Sequence, residues 1–162
     1  MATSPINNMT RQLGAKKTLS YPVDTAGSHD FNAGDLVAFD GTELAALTAS
    51  TTSATFAGVA QNSSYLGIYA KDGAVVKNYS PSVEVIIGQV HRFQTSSGDS
   101  ISHMTPMYCG ADAQTVTSQT SGHDIIGYAY LPQGGTLSGS DVGAGKYVEV
   151  LVVPTYPVSA IA

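Results

Sequence analysis

Short apolar runs, each closed off by turn residues, recur along the whole chain, and no stretch sustains a helical period. Strand patterns fall at Asp35–Phe39, Thr55–Ala60, Ala74–Val76, Val83–Ile87, Gln89–Gln94, Met107–Cys109, Gln114–Thr117, Ile125–Tyr130 and Lys146–Val153. Asp40-Gly41 and Asp72-Gly73 are hairpin-forming dipeptides, because both central positions of a tight hairpin turn need a positive φ. Glu43–Leu47 is the best helical stretch, and it soon runs into a Ser/Thr-rich segment. Many short strands with few helix signals predict an all-β fold: a compact β-sandwich or barrel with at most one short helix.

The strand pattern echoes itself at an offset of 69, Phe39–Ala60 aligning without gaps on Tyr108–Ala129. Gly41, Thr48, Thr51, Gly58 and Ala60 are identical to their counterparts. Gly34-Asp35 and Gly98-Asp99 open the two units. Glycine inside the last strand of each unit implies a bulge or the close approach of another backbone. Two copies are too few for a solenoid and fit two similar units packed into one body.

Composition sharpens the picture. The chain has 162 residues, enough for one sizeable core, and only 12% of them are charged. The formal charge of −5 hides a split: residues 1–20 hold Arg11, Lys16 and Lys17 and no acid, whereas four basic and twelve acidic residues follow. An extended, basic N-terminal arm, residues 1–22, is therefore expected ahead of an acidic β-rich body, residues 23–153, and a C-terminal tail, residues 154–162. Pro5, Ile6, Met9, Leu13 and Tyr21 give the arm more apolar surface than a solvating tail carries. With Arg11, Lys16 and Lys17 they are its candidate contacts to an acidic protein surface, a neighbouring copy included. No basic stripe in the body suits phosphates, so nucleic acid is not the expected partner, and no apolar run is long enough to span a membrane. The lone Cys109 and the absence of an apolar leader lead us to expect synthesis in a reducing cytosol.

The search for chemistry returns little. His29, His91, His103 and His123 are scattered without metal-ligand spacing, and Cys109 has no base beside it, which suits a small buried hydrophobe. Gly135–Gly139 has its serine one place late for a nucleophile elbow. Gly139–Lys146 departs twice from a phosphate loop, at Ser140 and at Tyr147. Asp24, Asp30, Asp35 and Asp40 form a loose acidic ladder that reads as turn chemistry rather than a calcium loop. No catalytic, cofactor or metal site is expected.

The ordered motifs Ala33-Gly34-Asp35-Leu36-Val37, Phe56-Ala57-Gly58-Val59-Ala60, Gly88-Gln89-Val90, Gly98-Asp99, Thr105-Pro106-Met107-Tyr108, Ile126-Gly127-Tyr128-Ala129 and Val148–Val152 resemble the capsid decoration, or cement, proteins of tailed bacteriophages. The resemblance covers roughly residues 30–153 and rests on short structural motifs. It implies a non-enzymatic, homotrimeric virion protein, made in the bacterial cytoplasm, that sits on the outer capsid surface. There it would bridge neighbouring major capsid protein subunits without a cofactor. Beside that compact pattern, residues 61–82 look inserted, and Tyr65, Tyr69 and Tyr79 mark a possible contact loop. The alternative expectation is a glycan- or receptor-binding β-sandwich module of a phage tail or cell surface, its tyrosines set in Gly- and Ser-rich loops.

Overall fold

The computed structural model describes residues 10–11, 17–25, 29–41, 43–48, 55–119 and 125–153. Its strands are β1 (Thr10–Arg11), β2 (Lys17–Pro22), β3 (Leu36–Asp40), β4 (Glu43–Ala46), β5 (Thr55–Ala60), β6 (Tyr65–Lys71), β7 (Ala74–Tyr79), β8 (Ser82–Ile87), β9 (Val90–Thr95), β10 (Ile101–Ser102), β11 (Pro106–Cys109), β12 (Thr115–Thr117), β13 (Gly127–Ala129), β14 (Thr136–Leu137) and β15 (Tyr147–Val152). A single 3₁₀ turn at Gly139–Asp141 is the one helical element among the described residues. The fold is all-β, as its alternation predicts.

Glu43–Leu47 is not helical. Gly41, with φ 71°, lets the chain reverse, and Glu43–Ala46 pairs antiparallel with β3 from Asp40↔Glu43 to Val37↔Ala46. One and a half turns of helix cannot offset the cost of nucleation, whereas the hairpin forms at once against an existing strand. The body also begins earlier than the composition suggests. Lys17–Pro22, the end of the expected arm, pairs with β8 along its full length, and Tyr21 packs edge-on against Phe39 at 4.7 Å.

The strands close into two rings. In the second half β9, β12, β11, β13 and β15 are joined in that order, and β15 returns to β9, making a closed five-stranded barrel. In the first half β2, β8, β5, β3 and β4 follow in order, and a single parallel bridge, Val23↔Leu44, joins the ends. The two rings have the same topology. With β2 matched to β9, β3 to β11, β4 to β12, β5 to β13 and β8 to β15, every antiparallel contact in one has its antiparallel counterpart in the other. Each ring also has one parallel seam, β9–β12 in the second and Val23↔Leu44 in the first.

The registers agree as well. Starting from Ala60 and Ala129 and walking through β8 and β2, or β15 and β9, Ala60↔Val85↔Leu19 matches Ala129↔Val150↔His91. Four residues further along the strand, that sets Val23 against Thr95. Walking the other way, Gly58↔Val37 matches Gly127↔Met107, and Phe39↔Leu44 matches Cys109↔Val116. The seam pairs Val23↔Leu44 and Thr95↔Val116 then coincide from both directions. The chain is thus an internal duplication of one five-stranded barrel. The offset of 69 holds at Gly58/Gly127 and Ala60/Ala129, but β3 and β11 match at 70, so that Phe39 aligns on Cys109 rather than Tyr108.

Gly34-Asp35 does not correspond to Gly98-Asp99. Asn32 N donates to Asp35 Oδ2 at 2.8 Å, and the corresponding turn is Ser102–Thr105, where Ser102 N donates to Thr105 Oγ1 at 2.9 Å. Gly34 N and Met104 N both donate at 2.8 Å to the alanine of the matching strand, Ala60 and Ala129. Gly98-Asp99 makes a turn of the same kind after β9, where the buried Asp99 accepts from Ser96 N, Thr117 Oγ1 and Ser118 N.

Matching positions fill the two interiors: Val37 and Met107, Leu44 and Val116, Val85 and Val150, Phe31 and Ile101. The outward face of the first barrel, Leu36, Ala38, Phe56 and Val59, joins the core of the second. The main chain ties the halves together, with Leu36 N donating to Ala113 O at 2.8 Å.

Both duplicated glycines lie where backbones crowd, as the sequence implies. A Cβ on Gly58 would fall 2.6 Å from Ile86 O, and one on Gly127 would fall 2.1 Å from Leu151 O. Gly58→Ala and Gly127→Ala are each expected to cost about 1–3 kcal/mol or more by forcing the ring open locally. A shift of the denaturant midpoint at unchanged slope measures the loss. Met104 holds φ 64° where the first barrel has Gly34, and it is 48% exposed, so its side chain contributes little packing. Met104→Gly is expected to stabilise the protein by about 1 kcal/mol through relief of the left-handed backbone, read as a higher melting temperature.

Candidate functional site

The segment between β5 and β8 leaves the barrel as a hairpin. Asp72 and Gly73, with φ 52° and 77°, form the tight turn that their sequence predicts, and Lys71↔Ala74 is the first pair after it. Ile68 lies opposite Lys77, and Ala70 opposite Val75, on one face. Leu66, Ile68 and Val75 are 72%, 57% and 75% exposed, more than any large apolar side chain described in the barrel strands.

The base of this hairpin is fixed. Tyr65 OH donates to Asn32 Oδ1 at 2.9 Å. Lys77 forms an ion pair with Asp30 and lies 4.8 Å over the Tyr65 ring. The hydrogen bond to Asp30 raises the Lys77 pKa, and desolvation followed by Asp30 raises that of Tyr79. Buried Ser64 accepts from Phe31 N at 3.1 Å, clipping the strand entry to the barrel. Tyr65 and Tyr79 pair across the root of the hairpin, and Tyr69 lies in β6 opposite Val76. Tyr65 and Tyr79 hold the root, while Leu66, Ile68 and Val75 supply the exposed apolar surface.

Of the expected arm contacts, Pro5, Ile6, Met9, Leu13 and Lys16 lie outside the described residues. Arg11 lies in β1, paired with Val90, so this part of the chain adds a strand to the second barrel. Lys17 opens β2 opposite Ile87, and Tyr21 is half-buried against Phe39.

The described histidines lie on separate elements. His29 follows β2, His91 is buried in β9, and His103 is exposed, its Nδ1 accepting from Leu131 N at 3.0 Å. Cys109 is 1% exposed, and burial, followed by the charge of Asp112, pushes its thiol up to about 12. That makes it a core side chain rather than a nucleophile. A shallow open groove of about 470 Å³ is lined by Arg92, Asp141, Lys146, Tyr147 and Glu149, with Arg92 stacked 4.4 Å over the Tyr147 ring. Among the described residues no helix is long and apolar enough to cross a membrane. No protein-family model matches the chain, and no curated protein matches it.

Burial lowers the His91 pKa to about 4, so the folded protein holds this ring neutral while the unfolded chain protonates near 6.5. Above that pH His91 contributes no pH dependence. Stability is expected to fall as the pH drops from about 6.5 towards 4, by about 2–3 kcal/mol from this group. Chemical denaturation of the native chain and of His91→Gln across this range measures the loss, which the variant should not show.

Proposed function

We propose that this protein is a capsid decoration protein of a tailed phage, binding the outer surface of the head and bridging neighbouring major capsid protein subunits. The observation that carries the reading is the anchored hairpin. A rigid double barrel holds Leu66, Ile68 and Val75 out in solvent on a root locked by Asp30, Asn32 and Ser64. Apolar side chains held in place on a stiff support lose little entropy when they dock, which is what an adhesive protein requires. The cationic N-terminal segment adds reach towards a neighbour. The order of the Gly-Asp and Gly-x-Ala strand motifs supports the same reading. A homotrimer would multiply each modest contact by avidity.

A second reading, a glycan-binding module, draws on the groove around Tyr147, which is 47% exposed and bordered by Asp141 and Glu149. Arg92 already covers one face of that ring, which leaves less of it for a sugar to stack upon.

Purified protein mixed with undecorated heads of the cognate capsid protein is expected to co-sediment with them and raise their disruption temperature. Light scattering should give three times the 16.7 kDa chain mass. Replacing Leu66, Ile68 and Val75 together with serine should leave the melting temperature within about 2 °C, since exposed positions carry little folding energy, while shell binding falls at least about tenfold. Failure to associate at any salt concentration, or full binding by the triple variant, counts against this function. Hits on a glycan array, removed by Tyr147→Ala, favour the second reading.

A further inference from the structure

The seams of the two barrels are closed differently. In the second, β9 and β12 share two register pairs, Thr115↔Gln94 and Val116↔Thr95. Main-chain bonds from Gln94 N to Gln114 O and from Ser96 N to Val116 O, both 3.1 Å, stitch that seam, and Ser96 Oγ adds a bond to Val116 O at 3.2 Å. In the first barrel the seam shows one bridge among the described residues, Val23↔Leu44. By the shared register Pro22 stands where the second barrel has Gln94, and proline has no N–H to donate. Asp24 stands in the place of Ser96 and Glu43 in the place of Thr115, so two carboxylates flank the weaker seam.

A histidine completes the group. His29 Nε2 lies 3.2 Å from Asp40 Oδ2 and donates to it, while Nδ1 faces Asp24. That Nδ1 is sealed from solvent without a hydrogen-bond partner, and it lies 3.9 Å from Asp24 Oδ2, another acceptor. Donor atoms of Asp24, His29 and Glu43 lie within 4.8 Å of one another. Bonds of about 2.0–2.2 Å to a tetrahedral Zn²⁺ would set them about 3.4 Å apart, a gap that side-chain rotation closes. An imidazole whose far nitrogen is held by a carboxylate is the usual arrangement around a bound metal.

We infer that Asp24, His29 and Glu43 bind a divalent transition-metal ion, Zn²⁺ the best match to one imidazole and two carboxylates, and that the ion clamps the seam of the first barrel. Asp40 is a positioning residue that orients the ring. The metal would take the place of the hydrogen bond that Pro22 removes, making closure of this barrel depend on metal.

The test uses the full chain, stripped with chelator and titrated with ZnCl₂. Calorimetry should give one ion per chain, and the melting temperature should rise with Zn²⁺ concentration. Amide exchange at Leu44 and Ala45, beside the seam, should slow. His29→Ala should abolish binding. Glu43→Gln, which preserves shape and tests the site should the histidine variant fail to fold, should weaken binding at least about tenfold, and Asp40→Asn about tenfold, the usual cost of losing such a partner. Three results would overturn the inference: no heat on titration, binding unchanged in Glu43→Gln, or binding that leaves exchange at the seam unaltered. The first would mean that an imidazolium ion alone balances the carboxylates, and the last that the ion is an adventitious surface ligand.

Discussion

Ring closure is the constraint on which the rest of this structure depends. A sheet with free edges can tolerate a slipped strand, but in a closed five-stranded ring a one-residue slip must be absorbed by every neighbour, and it turns each side chain of the strand to the opposite face. The two barrels therefore keep the same register at every junction while nearly everything else between them has diverged. Connections changed length, a hairpin grew from one half, and a short β10–β14 pair formed in the other. Identical residues persist where the rings pinch and along β8 and β15, where Val83, Glu84 and Val85 match Val148, Glu149 and Val150. Gly58 and Gly127 face a neighbouring carbonyl too closely for any side chain, and Ala60 and Ala129 are buried beside them.

Those pinch points are what the sequence displays most clearly. Gly-x-Ala inside an apolar run announces a backbone contact, and its repetition announces the duplication. The remaining registers were hidden. A bulge between Val37 and Ala38 moves β3 by one residue against β5, so an ungapped comparison misaligns the very strands it joins. Glu43–Ala46 has helix-favouring residues, and only the turn before it decides for a strand. Lys17–Pro22 looks like a continuation of a basic leader because its pairing partners lie 60 to 70 residues away. The outer hairpin was half visible. Asp72-Gly73 marks its turn, but β6 faces no core on the strand's apolar side, so it lacks the burial pattern by which strands are recognised. The sequence singled out the tyrosines of this segment as contacts, whereas Leu66, Ile68 and Val75 are the apolar side chains that the fold leaves exposed. Asp24 and Asp40 were visible as an acidic ladder, but their convergence on His29 depends on tertiary contact.

Projection and enclosure divide the molecule between them. The rings supply rigidity without disulfides, because each backbone ladder ends on its own first strand. The projecting hairpin and the N-terminal strand supply surface. This separation lets the exposed hairpin vary freely, since Leu66, Ile68 and Val75 lie outside both cores.

The order of the strands along the chain carries a consequence for biosynthesis. Each ring is built from one continuous stretch, β2 to β8 and then β9 to β15, so the first can close while the ribosome is still making the second. Its outer face, with Leu36, Ala38, Phe56 and Val59, stays bare until that second stretch arrives. The nascent half thus offers a greasy mould against which the later half assembles, and a chain stalled between Ile87 and Val90 would be a finished ring with a sticky side.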